Sequence, residues 1–213
     1  MLMKTIRGVV GLSRSVLKVA VPVFAMSLLL AAPARADFSD GYKFLEAVKK
    51  KEGDKVEAAI MKSGSIVLAK DVTSGEGALH IVTARRDLTW LNYLIAKGAN
   101  VNQADDRGRT PLELAVNLGW REGAQLLLDQ KASPDISNDA GETPLIFAVH
   151  RKDLQLTKAL LEAGANPDRS DNSGRSARDY AKADGSSQLI SAIETLGKKN
   201  AGKTARPVYG PTF

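Results

Sequence analysis

Short apolar stretches alternate with polar, glycine-containing turns along most of the chain. The stretch GRTPLELAVNLGW begins at Gly108, and its apolar positions share one face of a helix: Leu112, Leu114, Ala115 and Leu118. Gly119 ends this pattern, and REGAQLLLDQ then supplies a second apolar helix through Leu126, Leu127 and Leu128. The hydrophobic pattern therefore predicts a pair of short helices rather than a strand.

Turn residues mark where the two predicted helices begin and end. Gly108 lies in a turn, where a positive φ is inexpensive only for glycine. Thr110 can cap the first helix by accepting a hydrogen bond from a free backbone N–H, and Pro111 suits the first helical position. In neighbouring segments Gly98 and Gly164 follow the second helix, which predicts left-handed C-terminal caps there.

This phrase recurs at a fixed distance. Gly75, Gly108, Gly141 and Gly174 lie 33 residues apart, and each precedes a similar segment: EGALHIV, RTPLELA, ETPLIFA and RSARDYA. A second phrase keeps the same register in IAKGANVNQ, DQKASPDIS and EAGANPDRS, and Gly197 extends it once more. One helix pair cannot bury its own apolar side, so the period predicts stacked pairs that cover one another.

The period and the phrases TPLELA, TPLIFA and GAN resemble the ankyrin repeat. The resemblance implies an all-α solenoid of five helix-turn-helix units with β-turn or hairpin connections. The units would span about residues 38–71, 72–104, 105–137, 138–170 and 171–199, within a repeat domain of 37–199. The outer two units depart from the motif, as expected of caps that meet water on one side.

Two departures concern the turns. The histidine of the family motif, which bonds neighbouring turns, is kept only as His80, and Glu113, Ile146 and Asp179 replace it. The turn before Gly75 is expected to lack the acidic residue that Asp105 and Asp171 supply in later turns.

By the same resemblance, a partner would bind to the concave face, on the turn tips and the inner ends of the first helices. Repeat register places these positions at Thr73, Ser74, Glu76, Arg85, Asp106, Arg107, Arg109, Asn117, Asp139, Glu142, His150, Arg151, Asn172 and Arg175. Their charges are mixed, which suits protein recognition better than the continuous basic surface that phosphate contacts require.

The first 36 residues differ from the rest and predict a secretory signal peptide. A basic leader precedes an uncharged apolar run at 19–32, and Ala34 and Ala36 form a small-residue peptidase site. We expect cleavage after Ala36 and a periplasmic or secreted bacterial protein. The alternative is an uncleaved anchor, but the run is shorter than a spanning helix needs and contains Pro22.

Cleavage would change the charge balance. Residues 1–36 carry five basic residues and no acidic ones, so the net charge would fall from +6 to +1. This argues against nucleic acid as a partner. The last residues, 200–213, are basic and rich in Gly and Pro, and we predict a disordered tail. The chain has no cysteine, so disulfides cannot stabilise the exported fold.

The sequence shows no convincing catalytic or metal-binding pattern. His80 and His150 are the only histidines, and no second ligand lies in register with His150. Trp90 is expected to pack in the core, whereas Trp120 could be buried or could anchor a partner. We therefore predict a monomeric, non-enzymatic protein-binding module without a cofactor. The alternatives are a structural or stress-protective periplasmic protein that shields a partner enzyme, or an enzyme or metal site at His150.

Overall fold

The computed structural model describes residues 39–200, with side chains to Gly197. Within this range the chain forms ten α-helices. They are α1 (Asp40–Lys50), α2 (Gly53–Lys62), α3 (Ala78–Ala84), α4 (Leu88–Ala96), α5 (Pro111–Asn117), α6 (Arg121–Asp129), α7 (Pro144–His150), α8 (Leu154–Glu162), α9 (Ala177–Asp184) and α10 (Ser187–Asn200). A 3₁₀ turn, Gly64–Leu68, follows α2.

The helices form five consecutive pairs, which stack side by side. The first helices pack in series from α1 through α3, α5 and α7 to α9, and α4, α6, α8 and α10 pack in a second row. Leucines such as Leu112 in α5 and Leu145 in α7 are fully buried between neighbouring pairs. The predicted all-α solenoid of stacked helix pairs is confirmed, and its core is continuous because each pair covers the next.

Turns connect the pairs and bond to one another. Short antiparallel bridges join Lys70 to Gly77 and Ser170 to Ser176. The tips are linked by backbone hydrogen bonds from Asp106 N–H to the Ser74 carbonyl (3.0 Å), from Asp139 to Arg107 (3.0 Å) and from Asn172 to Ala140 (2.9 Å). The backbone of the turns thus forms a continuous chain of bonds across four units, which fixes the positions of the tip side chains.

The predicted helix ends are confirmed. Thr110 Oγ1 accepts a hydrogen bond from Glu113 N–H at 3.2 Å, and Pro111 begins α5. Gly98 and Gly164 have φ of 92° and 103°, as expected for residues that end the second helices. Trp120 is 7% exposed, so it belongs to the core. The Trp120 ring occupies the space that a side chain at position 123 would need. A Cβ on Gly123 would lie 2.1 Å from this ring.

One sequence expectation about the turns is wrong. The first turn does have its acidic residue, Asp71, whose Oδ1 accepts hydrogen bonds from the backbone of Thr73 (2.9 Å) and Ser74 (3.2 Å). It was missed because this turn is one residue longer than the later ones. Gly197 does not end a helix but lies inside α10, where a Cβ would meet the Pro167 ring at 2.9 Å.

The predicted signal peptide and the tail after residue 200 lie outside the described residues, and the predicted unit boundaries stay predictions. None of the helices between residues 39 and 200 is both long and apolar enough to cross a bilayer.

Candidate functional site

The structure places the predicted contact residues in two adjoining zones, the turn tips and the ends of the first helices. We call the surface formed by the tips and by the partly exposed side of α3, α5, α7 and α9 the first-helix face. Nine of the fourteen predicted residues on it are exposed: Thr73, Asp106, Arg107, Asn117, Asp139, His150, Arg151, Asn172 and Arg175. The other five are partly buried: Ser74, Glu76, Arg85, Arg109 and Glu142.

Arg109 is part of the framework of its turn. Its guanidinium forms an ion pair with Asp105 at 2.6 Å and approaches Glu76 of the preceding turn at 3.5 Å. Burial opposes ionisation of Asp105, but hydrogen bonds from Arg109 and from the Arg107 backbone keep the pKa of Asp105 below its ordinary value. Arg109 therefore joins two turns and offers only part of its side chain to a partner.

Three other predicted contact residues also bridge neighbouring units. The Arg85 guanidinium donates to the Val48 and Lys49 carbonyls at the end of α1, and Arg151 donates to the Asn117 carbonyl at 2.9 Å. The Asn172 amide donates to the Asp139 carbonyl at 2.8 Å. These side chains thus bond to carbonyls at the end of the preceding helix or turn, and part of their hydrogen-bonding capacity is used within the stack.

A smaller group is free for contact. Among the residues that the structure describes, none donates to or accepts from the side chains of Asp106, Arg107, Asn117 and Asp139, and all four are exposed. Their backbones are nonetheless held, since Arg107 N–H donates to Asp105 Oδ1 at 2.9 Å. The side chains project from a rigid support, which lowers the entropic cost of an intermolecular contact.

An apolar row on the first helices was missed in the sequence. Ile81, Leu114, Phe147 and Tyr180 occupy the same position in four successive units, 33 residues apart, and each is only partly buried. They lie on α3, α5, α7 and α9, which pack in series. The sequence contains a signal for this row, because each of the four residues directly follows the motif-histidine position of its own unit. The sequence alone does not show which side of such a short helix stays open.

The last two units add a cluster of rings to this row. The rings of His150 and Tyr180 meet edge to face, with centroids 4.3 Å apart. The Arg175 guanidinium lies 4.6 Å from the Tyr180 ring centre, and the Tyr180 hydroxyl donates to Asp171 at 2.6 Å. With Phe147 nearby on α7, this end of the first-helix face presents aromatic surface with fixed polar groups, a composition enriched in protein interfaces.

Beneath the tips, the residues that take the motif histidine's position differ in chemistry. His80 is 1% exposed, and its Nδ1 accepts from Gly77 N–H (3.2 Å). Its Nε2 is then left to donate to the Arg109 carbonyl at 2.9 Å, so the predicted bond between neighbouring turns is confirmed. Glu113 is 2% exposed and accepts from the Asn138 amide at 3.1 Å. Burial raises the pKa of Glu113 to about 7.

The opposite side of the stack carries open grooves between the second helices. One of about 590 Å³ lies between α8 and α10, and one of about 580 Å³ lies between α4 and α6. Lys158 and Glu162 line the first, so its charges are balanced. No group of three His, Cys, Asp or Glu side chains that could hold a metal ion occurs among the described residues.

Comparison with known families agrees with this architecture. A family model described as ankyrin repeats in three copies matches residues 44–138, and one described as ankyrin repeats in many copies matches residues 127–181. Together they span more than half of the chain. The chain belongs to the ankyrin-repeat family. Ankyrin repeats generally mediate protein–protein interaction.

Three curated proteins share this similarity. Human neurogenic locus notch homolog protein 4 is 41% identical over 69 residues, or 32% of this chain and 3% of its own length. The nuclear factor NF-kappa-B p105 subunit of Gallus gallus is 34% identical over 93 residues, 41% of this chain and 10% of its own length. Human protein phosphatase 1 regulatory subunit 27 is 29% identical over 98 residues, 46% of this chain and 63% of its own length. The chain thus spans less than two thirds of each relative.

Proposed function

We propose that this ankyrin-repeat protein binds a partner protein on its first-helix face, without chemical reaction. The observation that carries the proposal is the row formed by Ile81, Leu114, Phe147 and Tyr180, which stays partly exposed along four first helices that pack in series. Apolar side chains at the centre and charged side chains at the rim are the usual anatomy of a protein interface.

The rim is supplied by the turn tips. Asp106, Arg107 and Asp139 are exposed and carry both signs of charge, so they favour orientation of a protein partner over general attraction to a polyanion. Of the relatives, protein phosphatase 1 regulatory subunit 27 is by its name a regulatory subunit of another protein. This supports a partner that is itself a folded protein.

We further propose that the binding takes place outside the cytoplasm, in the periplasm of a bacterium or beyond it, after cleavage behind Ala36. The support is the order of basic leader, apolar run and A-x-A site in residues 1–36. The mature protein would act as a monomer, because its repeat face is offered to a different chain.

The sharpest test changes Arg107 to Glu. Its backbone bonds do not depend on the side chain, so the turn keeps its structure while the rim charge is reversed. We expect crosslinking and pull-down from the native compartment to recover about fivefold less partner, a loss of about 1 kcal/mol in binding.

N-terminal sequencing of the recovered protein should begin at Asp37.

The matched control is Lys158→Glu, which reverses an exposed charge on α8, on the opposite side of the stack. It should recover the same partner as the unchanged protein. Equal recovery with Arg107→Glu would overturn the proposal. A loss with Lys158→Glu but not with Arg107→Glu would in addition point to the second-helix grooves as the contact.

A further inference from the structure

Glu113 is a buried acid that the proposed binding face does not use. It lies in α5, one period after His80, and it is 2% exposed. Its Oε1 accepts one hydrogen bond, from the Asn138 amide at 3.1 Å. Its Oε2 is buried and has no hydrogen-bond partner among the described residues. An unpaired buried carboxylate oxygen is costly, whereas a neutral carboxyl in the same place costs much less.

The single partner of Glu113 holds the next turn together. Asn138 Oδ1 accepts from the backbone N–H groups of Ala140 and Glu142, both at 3.0 Å, and its amide also donates to Glu142 Oε2 at 3.3 Å. Because Asp139 and Glu142 belong to the proposed contact residues, the state of Glu113 bears directly on a turn tip of the first-helix face.

Burial favours the neutral form of Glu113, and the charges around it act in both directions. Burial raises its pKa most, and the negative charges of Asp105 and Glu142 add to that effect. The hydrogen bond from Asn138 and the positive charge of Arg109 act in the opposite direction. Arg109 is already paired with Asp105, and the neutral His80 ring on α3 bonds to the Gly77 N–H and to the Arg109 carbonyl.

We propose that Glu113 acts as a proton-sensitive lock for the turn tips. When its carboxyl is protonated, α5 and the turn Asn138–Glu142 stay closed over it. When the carboxyl ionises, the turn opens so that water can reach Oε2, and the contact residues of this turn lose their fixed positions. Partner binding should consequently weaken as pH rises, an expectation that rests on the proposed function. The opening of the turn does not rest on it.

The test therefore uses the full chain without a partner. The sign follows from linkage: the folded state holds the Glu113 proton up to about pH 7, and the unfolded chain loses it near 4.5, so rising pH favours the open form. Between pH 6 and pH 8 the equilibrium constant for opening should increase about tenfold. We expect hydrogen exchange at Ala140 and Glu142, corrected for intrinsic rates, to speed up by this factor.

Glu113→Gln is the matched variant, because it keeps the shape but cannot ionise. In this variant the corrected exchange of Ala140 and Glu142 should not change over the same range. His80 cannot imitate the effect, since burial lowers its pKa and its contribution is lost as pH falls, not as it rises. Comparison of the two proteins removes the contribution of His80 and of other shared groups.

Carbon NMR of the Glu113 carboxyl supplies a second, independent measurement. A midpoint near 7 would support the lock, and a midpoint near 4.5, or equal exchange in the two proteins, would overturn it. None of these outcomes depends on a partner. If the lock is confirmed while Arg107→Glu leaves partner recovery unchanged, the proposed binding face fails and the proton-sensitive turn stands.

Discussion

Individual residues form the hydrogen bonds between units. The position of the motif histidine is occupied by residues of different chemistry in successive units. His80 donates to one turn and accepts from another, while Glu113 bonds forward to Asn138 and leaves an oxygen unpaired. Ile146 contributes only apolar packing, and Asp179 turns back to cap its own helix by accepting from Ser176. The contacts between units at this position therefore differ in strength, although the helices repeat.

His80→Ala should lower the free energy of unfolding by about 3 kcal/mol, because it leaves the Gly77 N–H and the Arg109 carbonyl without their partner in a buried site. Urea denaturation followed by circular dichroism measures the loss.

The other histidine provides the control for this change. His150→Ala removes an exposed ring that packs edge to face with Tyr180, and we expect a loss below about 1 kcal/mol. Equal losses of stability in the two variants would show that the hydrogen bond between the turns contributes no more to folding than the exposed ring contact does.

At the scale of elements, the turn glycines do two things: they adopt positive φ and they let the next turn approach. Gly141 and Gly174 have nearly the same φ, 77° and 80°. A Cβ on Gly141 would lie 2.8 Å from Asn172 N in the following turn, whereas a Cβ on Gly174 would meet nothing within 4 Å. The difference arises because Gly174 belongs to the last turn of the stack.

This pair separates backbone strain from stacking. Gly174→Ala should lose about 1 to 2 kcal/mol, the cost of a left-handed conformation for a residue with a Cβ. Gly141→Ala should lose clearly more, since the turn bonded through Asn172 N and the Ala140 carbonyl must also shift. Thermal unfolding of both variants gives the comparison, and equal losses would show that the close approach adds no cost.

At the scale of the molecule, stability depends on contacts between neighbouring pairs. The fifth pair touches the rest through α7 with α9 and through α8 with α10. Removing residues 171–213 would uncover α7 and α8 but leave the packing of α1 to α6 unchanged. A solenoid should tolerate this better than a fold with one central core.

We therefore expect the chain truncated after Ser170 to keep cooperative unfolding, with a lower midpoint and a smaller dependence on denaturant because less surface is buried. Truncation after Asn200, which keeps all ten helices, is the control and should leave the midpoint unchanged. Complete loss of the helical circular-dichroism signal in the shorter chain would contradict the view that the stability comes from contacts between neighbouring pairs.

The sequence alone determined the class of fold, because the period, the caps and the turn glycines act locally and recur in register. Thr110, Pro111 and Gly108 specify helix ends whatever lies beside them. The tertiary structure alone decided which predicted contact residues remain open. Arg85, Arg109 and Arg151 are engaged by neighbouring units, whereas the Arg107 side chain is free and the apolar row at Leu114 and Phe147 stays partly exposed. Such choices depend on atoms about 33 residues away in the next unit, and local pattern carries no information about how two packed units share their polar groups.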